Sequence, residues 1–386
     1  MSTVLAVFGG YPGSRVTGAS LMAWRTTAAL AARGHRVALL TDSRCPEDLA
    51  DADWPVFTSV AQLSGTAWSH PDYVHVYDLA SPAHAELGRE LAARSGATLV
   101  LTPASAPETW PDPALGRRVS AEATALFVLT ETEATTLRSI GIPTDRIGHI
   151  PQAPDLAGPG DGAAFRARHD IGGPLVLFVG RHVPAKGYEL LLDAAPSVWE
   201  RVPEAVFAFA GPDEGEDVDA AFDRRADARI RRLGLLSDAE KHDALAGCAV
   251  LCLPTSADVF PLVFVEAWSC GRPVVSGRFT GCLEVVREGV DGLLVDHTPL
   301  SVASALLKLL QDDALRASLG AAGQARVDAE LSWDQAAAAV ERGCSMVVSE
   351  PAVVVASRAP SPRPHTAAPS GTTADALCTE QPSEAP

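Results

Sequence analysis

The stretch PTSADVFPLVFVEAWSCGRPVV, residues 254–275, decides how this chain folds. Just before it, residues 249–253 are an apolar run that stops at Pro254, and Pro273 opens a second apolar run at 274–276. Two carboxylates, Asp258 and Glu266, flank the short apolar segment 259–265. Gly271 and Pro273 read as helix stop and strand start. The sequence therefore predicts strand, loop, helix, strand, with Asp258 in the loop and Glu266 on the helix. In a parallel sheet that loop lies at the carboxyl ends of the strands, where α/β proteins bind ligands. Two acceptor-only carboxylates there suit a ligand rich in hydroxyls. The alternative is an ordinary βαβ turn with solvated acids.

The same rhythm extends on both sides. Residues 175–179 (LVLFV) are a buried strand, 180–187 (GRHVPAKG) its loop, 188–199 an amphipathic helix and 206–210 the next strand. Arg181 and Lys186 bracket a glycine-flanked loop at a helix start, where fixed donors and the helix dipole hold an anion. The alternative is that both snorkel at a surface. Lysine occurs only at Lys186, Lys241 and Lys308, which favours a purpose for Lys186. Residues 212–223 are an acidic loop containing Asp217-Val218-Asp219. Such a D-x-D can hold a divalent cation, but in a run of acids without a flanking strand a solvated loop is expected. Residues 229–234 and a helix at 238–246 lead into the opening stretch. A turn-and-strand unit follows at 285–294, then helices at 300–310 and 314–327 and a final helix, 332–346, carrying Trp333.

The first half opens as a nucleotide fold does. Residues 4–8 are a strand, 9–20 a loop with Gly9, Gly10, Gly13 and Gly18, 19–33 a helix and 36–41 a strand. The glycines let backbone approach a ligand, although neither a strict G-x-G-x-x-G nor a Walker lysine is present. Strands are expected at 73–76, 97–102 and 126–129, with helices at 83–95 and 131–140. His75, Asp78 and His84 lie at or just after one strand end; for His75 a structural role weighs against a site role, and His35 reads as a strand-entry residue. Residues 152–174 turn to Pro, Gly, Asp and Ala and mark the domain boundary.

At 386 residues the chain has room for two domains, each with its own core. No apolar run approaches the roughly 20 residues of a membrane span. The start, MSTVLAVFGGYPG, reads as a first strand and not a signal peptide. Seven cysteines without a C-x-x-C pair suggest a reducing, cytoplasmic setting with neither disulfides nor zinc. The net charge of −17 argues against nucleic-acid partners. Residues 1–150 hold 11 Arg, no Lys and 15 acids, a net of −4 without a basic cluster, so stable binding to anionic membranes is not expected. Residues 351–386, rich in Pro, Ser, Ala and Thr, are expected to be disordered.

Several blocks together resemble the retaining GT-B glycosyltransferases of the glycogen-synthase-like group, family 4. FVGRHVPAKGYELLLDA is similar to that family's GR-x-x-x-x-KG phosphate loop, and LPTSADVFPLVFVEAWSCGRPVV to its E-x7-E block. GCLEVVREGVDGLLVD resembles the block that follows, and LTETEATTLRSIGIPTDRIGHIPQAPD the approach between domains. The resemblance covers about residues 1–345 and implies an α/β fold with two Rossmann-like domains facing a central cleft. An acceptor domain would span 1–155 and a nucleotide-sugar donor domain 174–331. A linker at 156–173 would join them, and a helix at 332–349 would cross back to the first domain. It further implies that Arg181 and Lys186 clamp a diphosphate as catalytic groups and that Asp258 holds sugar hydroxyls. Glu266 would bind the ribose. Gly180, Phe260 and the N–H groups of Leu262 and Val263 would complete the donor site, with Gly18 and Ala19 closing over it. His75 and Ser105 are possible acceptor or sugar contacts. No cofactor or metal is implied. The partners would be a nucleotide-sugar, uridine-based before guanosine-based, and a small hydroxylated acceptor such as an amino sugar or aminocyclitol of secondary metabolism. Three positions depart from the family pattern: Asp258 stands for a Glu, Gly18-Ala19 for a glycine pair, and Ala104 for a frequent histidine. The alternatives are a non-catalytic nucleotide-sugar binder and a related phosphorylase or epimerase.

Overall fold

The computed structural model describes residues 1–10, 17–156, 160–215, 217–279 and 281–345, all within one compact unit spanning Met1–Glu350. The expected disordered tail lies outside the described residues. Two parallel sheets organise the chain. The first contains β1 (Thr3–Phe8), β2 (Arg36–Thr41), β3 (Val56–Phe57), β4 (Tyr73–Tyr77), β5 (Thr98–Thr102), β6 (Ala125–Val128) and β7 (Ile147–His149). Their spatial order is β3-β2-β1-β4-β5-β6-β7. The central strands TVLAVF, YVHVY and TLVLT are near-continuous apolar runs because helices cover both faces. Leu5, Val7, Val74 and Val76 pack on one side, and Val4, Ala6, Phe8 and Tyr77 on the other. The covering helices are α1 (Gly18–Ala32), α2 (Pro82–Ser95), α3 (Pro113–Glu122) and α4 (Glu131–Ser139).

The second sheet contains β8 (Leu175–Val179), β9 (Val206–Ala210), β10 (Ile230–Gly234), β11 (Val250–Leu253), β12 (Val274–Gly277) and β13 (Gly292–Val295), ordered β10-β9-β8-β11-β12-β13. Around it lie α5 (Gly162–Arg168), α6 (Tyr188–Trp199), α7 (Val218–Asp223), α8 (Asp238–Gly247), α9 (Leu262–Ser269), α10 (Cys282–Val285), α11 (Pro299–Gln311) and α12 (Asp313–Glu330). Strand order reverses between β8 and β11, so the loops after these two strands are neighbours at a switch point. The first sheet reverses likewise between β1 and β4.

The last helix, α13 (Trp333–Cys344), returns to the first sheet. Ala337, Ala339 and Val340 join the core beside α1. Arg33 grips Glu341 through Nε and Nη2 at 2.8 and 2.7 Å. The Tyr73 hydroxyl donates to Cys344 O at 3.0 Å, and Trp333 Nε1 to Pro154 O at 3.1 Å, at the crossing.

Two segments differ from the sequence expectation. The glycines of the expected linker serve contact, since α5 forms there and packs on α8. A Cβ on Gly162 would stand 2.5 Å from backbone atoms of Ala246 and Gly247, so only glycine allows this approach. The acidic stretch expected as a loop contains α7, whose apolar Val218, Ala221 and Phe222 are buried. Asp217 starts that helix, and Asp219 pairs with Arg232 at 2.6 Å. Helix α3, which the sequence did not announce, buries only Leu115, Gly116, Val119 and Ser120, too sparse a stripe to show as a period.

Candidate functional site

The two loops at the second switch point are locked together. After β8 the chain runs through Gly180, Arg181 and a short turn, Pro184–Lys186, into Gly187. Gly187 has φ 75°, and a Cβ there would meet Pro254 O at 2.3 Å, so glycine is required by both conformation and space. Ser256 N donates to Ala185 O at 2.8 Å, and the Thr255 hydroxyl to the same oxygen at 2.9 Å. This brings Lys186 onto Asp258 as an ion pair whose side chains are 18% and 17% exposed. Arg181 reaches Glu214 at 3.3 Å. Both cations of the loop thus stand beside a carboxylate that an incoming anion would compete with.

His182, between them, was missed by the sequence reading. Its ring is buried among Phe178, Tyr188, Phe209 and Phe222. Nδ1 lies 2.6 Å from Asp213 Oδ1, and Asp213 is held in turn by Arg232 at 2.6 Å. Burial pushes the imidazole below its ordinary range, with Asp213 pulling against it. His182 N also donates to Pro212 O and its carbonyl accepts from Gly215 N, both at 2.8 Å. The side chain is a peg that fixes the loop presenting Arg181. An unmatched His–Asp pair thirty residues apart carries no local signature, so the sequence could not show it.

Helix α9 starts at the mouth of the same switch point. Its N-cap is Pro261, which offers no side-chain cap. The N–H groups of Leu262 and Val263, both half-buried, therefore point out of the first turn as donors. Phe260 is half-buried beside them. Glu266, one turn on, is only 2% exposed and meets Lys241 Nζ at 2.6 Å. Against the cost of burial, Glu266 holds the Lys241 ammonium above the ordinary lysine range. Lys241 also donates to Asp155 O at 3.2 Å. Asp155 meets Arg25 at 2.5 Å, and Arg25 meets Asp48 at 2.7 Å. A ligand that reaches Glu266 must share it with Lys241, which the sequence reading did not foresee.

The first sheet presents its own rim. Gly18 and Ala19 are the first two residues of α1, capped by Thr17, and a Cβ on Gly18 would meet nothing. Asp78, at the end of β4, takes a left-handed conformation with φ 66°. Its carboxylate accepts from Ala80 N at 2.8 Å. Burial pushes that carboxyl up to about 6, against hydrogen bonds from Ala80 and Ser105. Ser105 is half-buried and donates to Pro103 O at 3.0 Å. His84 lies 3.0 Å from the Ser81 hydroxyl and 3.6 Å from Asp42. His75 requires a correction. It is 1% exposed inside the first sheet's core, stacked on Tyr77 and bonded to the Thr102 hydroxyl at 2.8 Å. Burial pushes its imidazole down to about 3, so it is a neutral core residue and not an acceptor contact. Among the described residues no three or more His, Cys, Asp or Glu side chains converge as a metal-binding group.

Two doubly wound parallel sheets with facing carboxyl ends and a returning last helix define the GT-B architecture. HepE of Anabaena, solved in complex with UDP and glucose, superposes with a TM-score of 0.74 over 90% of this chain and 100% of its own, at 19% identity. The family described as glycosyl transferases group 1 matches residues 173–312. D-inositol 3-phosphate glycosyltransferase of Acidothermus cellulolyticus is 32% identical over 325 residues, 75% of this chain and 70% of that protein. The enzyme of the same name from Xylanimonas cellulosilytica is 34% identical over 245 residues, 58% of this chain. That match spans only 57% of the relative's length, little more than half. The chain belongs to the group 1 glycosyltransferase family.

Proposed function

We propose that this protein transfers a sugar from a nucleoside-diphosphate sugar to a small hydroxylated acceptor, with retention at the anomeric carbon. The observation that carries this is the convergence of Arg181, Lys186 and the open N–H groups of Leu262 and Val263 on one switch point, beside Asp258. Four donors at a helix start suit a diphosphate, and one carboxylate next to them suits the hydroxyls of the attached sugar. Lys186 and Arg181 would offset charge growing on the leaving diphosphate. The sugar C1–O bond breaks, the acceptor oxygen bonds C1 on the same face, and its proton passes to the leaving phosphate oxygen. Glu266, sharing its carboxylate with Lys241, would receive the ribose hydroxyls. The UDP bound to HepE supports uridine over guanosine.

The acceptor belongs on the first sheet's rim. The two relatives are named for an inositol phosphate, which supports a cyclitol. Asp78 has no cation paired with it among the described residues, so a neutral or amino-bearing cyclitol fits better than a phosphorylated one. No helix among the described residues is long and apolar enough to cross a membrane. The six described cysteines are free, which agrees with a reducing, cytoplasmic setting. The test is turnover of UDP-, GDP-, ADP- and TDP-sugars with myo-inositol, an aminocyclitol and inositol phosphate. Product NMR would report the anomer. Absence of transfer from every donor, together with no thermal shift by any nucleoside diphosphate, would overturn the proposal.

A further inference from the structure

One contact between the two lobes lies outside the site described above. Glu284, on α10 of the second lobe, sends its carboxylate to the start of α4 in the first. Oε2 accepts from Glu131 N at 2.5 Å, and Oε1 accepts from Thr132 N at 2.9 Å and from the Thr132 hydroxyl. These are the first two residues of α4, whose N–H groups have no partner inside the helix. The Thr130 hydroxyl serves the third, accepting from Glu133 N at 3.2 Å. A carboxylate is welcome at a helix start through both hydrogen bonds and the helix dipole. This start, however, already carries Glu131 and Glu133 in its first turn. Burial pushes the Glu133 carboxyl up to about 7, and Glu284 adds to the rise. Glu284 is itself exposed, so water competes for it. Three carboxylates thus gather at one helix turn, one of them from the opposite lobe, and Glu131 is also paired with Arg138 and with His149 at 3.3 Å.

The N-cap of α10, Gly281, passes close to the loop of Asp258. A Cβ on Gly281 would stand 3.4 Å from the carbonyl oxygens of Asp258 and Val259. Cys282 Sγ lies 2.9 Å from the Ser276 hydroxyl in β12. Helix α10 thus lies between the first lobe's α4 and the segment that carries Asp258.

We infer that Glu284 is a positioning residue for transfer, seating α4 on the second lobe so that the first lobe's rim meets the sugar held at Asp258. The inference rests on the transfer function proposed above, and it adds a residue that touches neither nucleotide nor sugar. The test compares Glu284→Ala and Glu284→Gln with wild type in the full chain. UDP affinity by calorimetry should stay within about twofold, because no nucleotide-binding group is touched. The melting temperature should move by no more than about 2 °C, because the contact is open to water. Transfer turnover should fall about 30-fold in Glu284→Ala, with donor hydrolysis gaining relative to transfer. Glu284→Gln keeps an acceptor oxygen and should recover part of the loss. Thr132→Val, which removes the partner hydroxyl, should cost little more once Glu284→Ala is present. In solution scattering with UDP bound, Glu284→Ala should show the larger radius of gyration. Unchanged turnover overturns the inference, and so does a loss of UDP affinity as large as the loss of turnover. If wild type transfers no sugar, the proposed function fails on its own account. Scattering then still decides, since equal radii for the UDP-bound wild type and Glu284→Ala would refute the joint.

Discussion

Asp258→Asn separates binding from transfer, and the structure gives the two effects opposite signs. The Lys186 ammonium and the Asp258 carboxylate are paired, with side chains 18% and 17% exposed. A diphosphate needs that ammonium, so in the unliganded protein Asp258 competes with the ligand. An ion pair this sheltered lies between the exposed and the fully buried case, a coupling of about 1.4 kcal/mol after screening. That is a factor of about ten in an equilibrium constant. UDP should therefore bind Asp258→Asn about tenfold more tightly at low salt, and the gain should shrink to about threefold at 0.5 M salt. Turnover should move the other way. On the proposed function the Asp258 carboxylate would orient sugar hydroxyls at the reacting centre, and its loss should then cost about a hundredfold, or about 2.7 kcal/mol in the transition state. Calorimetric titration with UDP and steady-state rates with the best donor measure both. Weaker UDP binding in Asp258→Asn would show that the carboxylate supports the phosphate clamp and does not oppose it. Normal turnover would remove Asp258 from the sugar.

Lys241→Met leaves Glu266 buried without its cation. Glu266 is already pushed up by burial, so losing Lys241 should raise it further, and UDP binding should weaken about tenfold as pH falls from 8 to 6, whereas Lys241→Arg should restore a flat profile. Calorimetry at several pH values checks this. Glu133 titrates near 7 against an ordinary 4.5, so its folded form favours the proton: stability is fullest below 4.5 and is lost as pH rises through 7. The loss approaches 3 kcal/mol at most, or about 4 °C in melting temperature between pH 5 and 8, and Glu133→Gln should abolish that slope in a thermal scan. Deleting 351–386 should leave turnover and melting temperature unchanged. Deleting from residue 332 removes Glu341 and Val340 from the first lobe and should lower the melting temperature by many degrees, or prevent folding; equal behaviour of the two truncations would refute the role of α13.

Most of the fold was legible because its strands are buried on both faces. Runs such as LVLFV at β8 and VFAFA at β9 show up as apolar blocks without any alternation. The pieces that escaped are those whose signal is shared with something else. Glycines at 160 and 162 look like a linker, yet they allow α5 to touch α8. Acids at 217 and 219 look like a loop or a metal pair, yet one begins a helix and the other answers Arg232. In the site, the spacing of Arg181, Lys186, Asp258 and Glu266 placed each on the expected element. The partners of Arg181 and Glu266 were not readable, because Glu214 comes from the loop after β9 and Lys241 from α8. Lysine scarcity singled out Lys186, and the same argument applied to Lys241 would have found the cation that covers Glu266. His75 failed for a plain reason: position 75 of β4 points into the core beneath α1 and α13, where a polar ring survives by bonding Thr102.

Helix α1 ties these observations together, because successive turns of it serve different parts of the molecule. Its first two residues, Gly18 and Ala19, follow the Thr17 cap, and their N–H groups have no partner inside the helix. About two turns later Arg25 bridges Asp48 in its own lobe and Asp155 in the segment between the lobes. Burial pushes the Asp155 carboxyl up, with Arg25 and Lys241 pulling against it. Lys241 in turn holds Glu266. At the far end of α1, Arg33 is anchored to Glu341 and Asp334 of the returning helix. A row of alternating charges thus runs from Asp48 through Arg25, Asp155 and Lys241 to Glu266. On the proposed function, a nucleotide that drew Glu266 away from Lys241 would leave more of that ammonium to Asp155, the residue that Arg25 of α1 holds.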